Sequence, residues 1–281
     1  MKYKILPYFL ISALFFSCNN NLEIKSPNVI IVITDDQGYG DIGYNGNPHL
    51  ITPNLDKFAG ESIRFNNFNV SPVCAPTRSS LLTGRYSLRT GVTDTYNGGA
   101  IMSSNEITLA EIFNENNYKT GIFGKWHLGD NYPSRPSDQG FQESLIHLSG
   151  GIGQVGDFTN YYKGSTSYYD PILWLNNKQE KYSGYCSDIF TDEAIKFIED
   201  NKDNQFFCYL SFNAPHTPLQ VPEKYYQMYK DIDPTTINGE SLEMTEKNIL
   251  DAKKIYGMVT NIDENFGKLI NKLGELNLKE N

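Results

Sequence analysis

The sequence predicts an α/β fold with a largely parallel central sheet and helices on both of its faces. Three observations predict it. The runs Asn28–Thr34 and Gln205–Phe212 are apolar at successive rather than alternate positions, the pattern of strands buried on both faces. Segments of helical period are interleaved with these strands, as a sheet with crossover helices requires. Finally, both runs stop at loops dense in chemistry-bearing residues, Asp35–Asp41 and Ala214–Pro218. Open α/β sheets bind ligands at the carboxyl ends of their strands.

The remaining elements follow in order. Aromatic and aliphatic residues alternate with asparagine over Ile63–Val70, which predicts a second strand. Thr108–Asn116 reads as a helix opened by a capping box of Thr108 and Glu111. Tyr118–Phe123 is a further strand, ending in Gly124-Lys125-Trp126-His127. From Leu148 to Gly184 the chain is rich in Gly, Tyr and Asn without periodicity, and reads as a loop-rich insertion (148–184) near the mouth of a site. Ser187–Asn201 is helical. Ile249, Ala252, Tyr256, Val259, Ile262, Phe266, Leu269, Leu273 and Leu276 make one apolar stripe on a long amphipathic helix.

The first residues read as a leader rather than as fold. Met1, Lys2 and Lys4 precede an apolar run from Ile5 to Phe16, too short for a span of about 20 residues and suited to an export signal. Its end, Leu14-Phe15-Phe16-Ser17-Cys18, resembles a lipobox. This predicts a lipoprotein signal over 1–18, a linker over 19–27, a lipid anchor on Cys18 and a location in the periplasm or on the cell surface. The net charge of −9 disfavours a nucleic-acid partner, because phosphate backbones need a basic field. Cys186 and Cys208 are the remaining cysteines outside the motif below. Export would permit a disulfide between them, while Cys208 within Phe206–Phe212 suits a small buried hydrophobe.

Chemistry concentrates in Pro72–Arg85. Pro76 favours a helix start, which places Cys74 at the positive end of that helix, and Arg78 lies four residues on along the same face. A nucleophile, a helix N-terminus and a guanidinium together suit a tetrahedral oxyanion such as sulfate or phosphate.

Cys-x-Pro-x-Arg from Cys74 to Arg78, followed by Ser79-Ser80-Leu81-Leu82-Thr83-Gly84-Arg85, resembles the signature of the formylglycine-dependent sulfatases. Asp35-Asp36-Gln37-Gly38-Tyr39-Gly40-Asp41, Gly124-Lys125-Trp126-His127-Leu128-Gly129 and Ala214-Pro215-His216-Thr217-Pro218 resemble further blocks of that family, in its order. The resemblance covers roughly residues 28 to 276. It implies an alkaline-phosphatase-like sandwich and a sulfuric ester hydrolase acting on sulfated carbohydrates or aryl or alkyl sulfates.

It further implies that a maturation enzyme oxidises Cys74 to formylglycine, whose hydrated aldehyde attacks sulfur with one hydroxyl and expels sulfate with the other. Asp35, Asp36 and residue 74 would hold one calcium ion, in preference to magnesium. Arg78 would brace the diol and Lys125 a sulfate oxygen. His127 would deprotonate the diol, since two residues along an extended segment it points the same way as Lys125. His216 would protonate the leaving alcohol. His147 reads as structural, His49 as a surface-loop residue and Trp126 as packing.

In the resembled family an Asp-Asn pair and a second lysine follow the long helix. The expectation is therefore an N-terminal portion of a catalytic domain over 28–281, poor in calcium binding and turnover by itself. Two alternatives stay open. A phosphomonoester or phosphonate hydrolase shares the anion site but commonly adds metal ligands absent here, and an inactive glycan-binding pseudo-sulfatase would dispense with the five reactive residues retained.

Overall fold

The computed structural model describes residues 26–96, 98–237 and 239–280, so the leader and Cys18 lie outside the described residues. Six strands form one sheet: β1 (Val29–Asp35), β2 (Lys119–Lys125), β3 (Glu143–His147), β4 (Ile172–Leu175), β5 (Lys178–Lys181) and β6 (Phe206–Pro215). Their spatial order is β1-β6-β2-β3-β4-β5. The α-helices are α1 (Pro53–Glu61), α2 (Cys74–Thr83), α3 (Leu109–Glu115), α4 (Cys186–Asp200), α5 (Glu223–Tyr229) and α6 (Glu246–Glu275). The first four in that order run parallel, and β4 and β5 are antiparallel additions.

The continuous apolar run of β6 has a physical reason, because both faces of this central strand are covered. Phe206, Cys208, Leu210, Phe212 and Ala214 pack towards α4 (Cys186–Asp200) and α6 (Glu246–Glu275). Phe207 and Tyr209 pack on the opposite side with residues of α2 (Cys74–Thr83) and α3 (Leu109–Glu115). Successive side chains of a strand point to opposite faces, so an unbroken apolar run fits only a sheet with helices on both sides. Helix α3 opens with the expected capping box: the Glu111 amide donates to Thr108 Oγ1 at 3.1 Å, and the Thr108 amide to Glu111 Oε2 at 2.8 Å. The long helix buries Tyr256, Val259, Ile262, Phe266 and Leu269 of its stripe.

Three expectations are corrected. Strand β1 is parallel as expected, but among the described residues it pairs only with β6 and is half-buried. Ile63–Val70 is not a strand; Ile63 is 88% and Phe65 79% exposed, and among the described residues no strand lies alongside to supply a ladder. Its alternation satisfied the pattern without the pairing that makes a strand. Nor is Leu148–Gly184 all loop, because it contains the β4–β5 hairpin, which extends the main sheet through Leu145↔Leu175. The hairpin turns at Asn176-Asn177 with φ of +47° and +67°, a left-handed turn that asparagine tolerates. Cys186 and Cys208 are both buried free thiols, and burial pushes Cys186 up to about 12.

Strands β1, β2 and β6 deliver their carboxyl ends to one place. Asp35 closes β1, Lys125 closes β2, and His216 follows β6. Gly124 makes the close approach of β2 and β6 possible: its φ is +115°, and a Cβ there would fall 1.8 Å from the Ser211 carbonyl oxygen. Gly124→Ala should therefore cost about 3 kcal/mol or more of unfolding free energy. Chemical denaturation measures it, and a loss under about 1 kcal/mol would contradict the argument.

Candidate active site

Helix α2 begins at Cys74 itself, two residues before Pro76. The first four amides of a helix lack intrahelical partners, so proline in this turn sacrifices no hydrogen bond. Cys74 thus sits in the first turn, where the uncapped amides and the helix dipole favour negative charge.

Across from it stands His127. Its Nδ1 is 3.3 Å from Cys74 Sγ, and its Nε2 is 2.9 Å from the Thr95 carbonyl. A carbonyl only accepts, so Nε2 carries the hydrogen and the Nδ1 lone pair faces residue 74. Burial, reinforced by the charges of Lys125 and Arg78, pushes the pKa down to about 3. The ring is a neutral acceptor across the ordinary pH range. It reaches this position through a backbone φ of +58° rather than by continuing the extended strand, which corrects the geometric reason expected for its approach to Lys125. Gly150 packs against the ring, where a Cβ would come within 2.9 Å of Cε1.

Behind these two lies a buried charge cluster. Lys125 Nζ pairs with Asp35 Oδ2, and Arg78 Nη2 stands 3.7 Å from Asp35 Oδ1. All three side chains are at most 3% exposed. Arg78 Nη1 also donates to Ser211 Oγ and, at 3.2 Å, to the Lys125 carbonyl, while Ser211 Oγ donates to that carbonyl at 2.7 Å. Burial acts to raise the pKa of Asp35, but Lys125 and Arg78 outweigh it and the net direction is down. The carboxylate stays ionised.

Asp36 faces another way. Its φ of +60° turns the carboxylate outward, where Oδ2 lies 3.5 Å from His216 Nε2. His216 Nδ1 lies 2.5 Å from the Thr217 carbonyl.

The structure therefore brings Cys74 to His127, Asp35 to Lys125 and Arg78, and Asp36 to His216. It does not gather Asp35, Asp36 and Cys74 into the expected metal shell; among the described residues no three His, Cys, Asp or Glu side chains could share an ion. The physical reason is that both oxygens of Asp35 face cations and Asp36 is turned outward. The two carboxylates fit a hard divalent cation in kind, as oxygen donors of which one is held ionised, but not in number.

His147 is buried against Phe190, and His49 Nε2 meets the Thr236 carbonyl at 2.8 Å, so both are structural. Trp126 is buried and donates to the Gly129 and Ser134 carbonyls. Sequence reasoning missed Thr95 and Ser211. Thr95 acts through its carbonyl, which any residue has and no motif can reveal. Ser211 had a signal, being a lone hydroxyl inside the apolar run of β6.

The family model for Sulfatase matches residues 27–281. The chain is 30% identical over 292 residues to an ulvan-active sulfatase of Formosa agariphila, covering 97% of this chain and 53% of the relative. It is 40% identical over 232 residues to arylsulfatase G of Mus musculus, covering 73% of this chain and 44% of the relative. The solved structure of Ps i-CgsB in complex with k-i-k-neocarrahexaose superposes with a TM-score of 0.75 at 33% identity, covering 90% of this chain and 56% of that one. The chain spans about half the length of the curated relatives it matches.

The buried rings set a dependence of stability on pH. His127 and His147 both titrate near 3 in the fold, against an ordinary value of 6.5. Their contribution is fully present above 6.5 and is lost as pH falls towards 3, because the unfolded chain takes up protons that the fold refuses. Each ring removes about 1.4 kcal/mol per pH unit in that window. In His147→Gln the slope of unfolding free energy between about pH 6 and 4.5 should fall by about one proton. An unchanged slope would show that the ring is not held neutral.

Proposed function

The chain belongs to the sulfatase family, and from that premise we propose that it hydrolyses sulfate esters through residue 74. The observation that carries this reading is the lone pair of His127 Nδ1 aimed at Cys74 Sγ from 3.3 Å, at the start of a helix. A thiol at a helix N-terminus beside a neutral base is a placement suited to a nucleophile. Here Cys74 is the precursor of formylglycine, made by a maturation enzyme, and as a hydrated aldehyde that residue supplies both a nucleophilic oxygen and a route to expel sulfate.

The chain's own groups then divide the work. His127 accepts a proton at Nδ1 from the oxygen borne by residue 74, while the Thr95 carbonyl keeps its tautomer fixed. Arg78 and Lys125 place two positive charges behind that oxygen, where a sulfuryl group brings negative charge. Asp35 keeps both cations ordered before substrate arrives. His216 delivers a proton from Nε2 to the leaving oxygen. Asp35 and Asp36 would supply only part of the shell of a divalent cation, calcium by the preference of carboxylate oxygens, whose charge would help to neutralise sulfate.

Sulfated saccharides are the substrate class we favour. The ulvan-active relative and the Ps i-CgsB complex support it. The leader over 1–18 and Cys18 support an exported, lipid-anchored protein, consistent with a substrate outside the cell.

Cys74→Ala should abolish turnover of 4-nitrophenyl sulfate by the matured enzyme, and His127→Ala should lower kcat by about 10²-fold or more. Chelation should reduce activity and added calcium restore it. Retention of most activity in Cys74→Ala would sink the proposal.

A further inference from the structure

The two histidines of the site belong to different loops, and a third loop, carrying Gly150 and Gln154, touches both. Gln154 Nε2 donates to the Thr217 carbonyl at 2.8 Å and to the Thr217 hydroxyl at 3.2 Å. The same carbonyl is the partner of His216 Nδ1. A carbonyl oxygen has two lone pairs and holds both donors at once.

On the other side, the loop carrying Gln154 is seated on His127 through Gly150. Gln154 lies across Gly151, where a Cβ would come within 2.6 Å of Oε1. The loop is also pinned from inside. The buried Asp157 accepts from the amides of Gly153, Thr159 and Asn160, from Thr159 Oγ1 and from Asn160 Nδ2. A rigid loop thus spans from one imidazole to the carbonyl that orients the other.

We propose that Gln154 is a positioning residue which, through the Thr217 carbonyl, fixes the His216 ring so that Nε2 faces the leaving oxygen of the substrate. The proposal rests on the reading of His216 as the general acid. With Nδ1–H engaged, Nε2 is the nitrogen left to exchange a proton. Without Gln154 the Thr217 carbonyl loses its only side-chain donor besides His216 among the described residues, and the ring keeps just that carbonyl at Nδ1 and the Asp36 carboxylate, 3.5 Å from Nε2, to hold its orientation. Displacement of a proton donor by about 1 Å is enough for large losses in rate.

Leaving-group dependence separates this from a general loss of structure. Nitrophenolate departs as a stable anion and gains little from a proton, whereas phenolate is a poorer leaving group and gains more. In the matured enzyme, Gln154→Leu and the isosteric Gln154→Glu, which lacks the donor, should lower kcat on phenyl sulfate about tenfold more than on 4-nitrophenyl sulfate. His216→Ala should show the same preference more strongly, and the melting temperatures of the Gln154 variants should match the parent. Equal losses on both substrates in the Gln154 variants, with His216→Ala still selective, would overturn the role of Gln154 alone. No selectivity in His216→Ala would overturn the general-acid reading and this inference with it.

Discussion

The carboxylate of Asp35, buried at the end of β1 between Lys125 and Arg78, is the interaction on which the rest of the site depends. An isolated buried charge is expensive, and removal of one partner from a buried pair typically costs about 3–5 kcal/mol. Here two cations share one carboxylate, and Ser211 Oγ together with the Lys125 carbonyl accepts from Arg78 Nη1. The arrangement ties β1, β2, β6 and the second turn of α2 to one point. Position 74 is placed because Arg78, one helical turn along, is anchored in that cluster.

The same charges have a second effect. Lys125 and Arg78 contribute to holding His127 neutral, after burial has done most of it. The ring is thereby kept in the neutral form that offers its Nδ1 lone pair to residue 74, while the same burial and charges make it a weaker base. The cluster leaves one net positive charge beside position 74, two cations against the single Asp35 carboxylate, which favours an anionic substrate although the whole chain is acidic. Local charge, not the total of −9, decides what the cleft attracts.

How much of this was legible in the sequence follows from where the information resides. The candidate site residues were legible because each has a distinctive side chain in a short block: Cys74 and Arg78, Lys125 and His127, His216. Buried strands were legible because β6 needs apolar residues on both faces. The hairpin was not, since Lys178–Lys181 is wholly exposed and polar, and its strand geometry comes from pairing with Ile172–Leu175. Asn176-Asn177 was the available sign. Ile63–Val70 failed in the opposite sense, having strand-like residues without a partner. The pairing of Lys125 with Asp35, and the outward turn of Asp36, depend on φ values and tertiary approach that local patterns do not encode.

The central claim is that residue 74 works as an aldehyde hydrate and not as a thiol. Mass spectrometry of the peptide bearing residue 74, taken from enzyme purified from its native host in active form, tests it most directly. The account predicts that the sulfhydryl has been replaced by the aldehyde of formylglycine in proportion to activity. A fully active enzyme whose peptide retains an unmodified cysteine would contradict it.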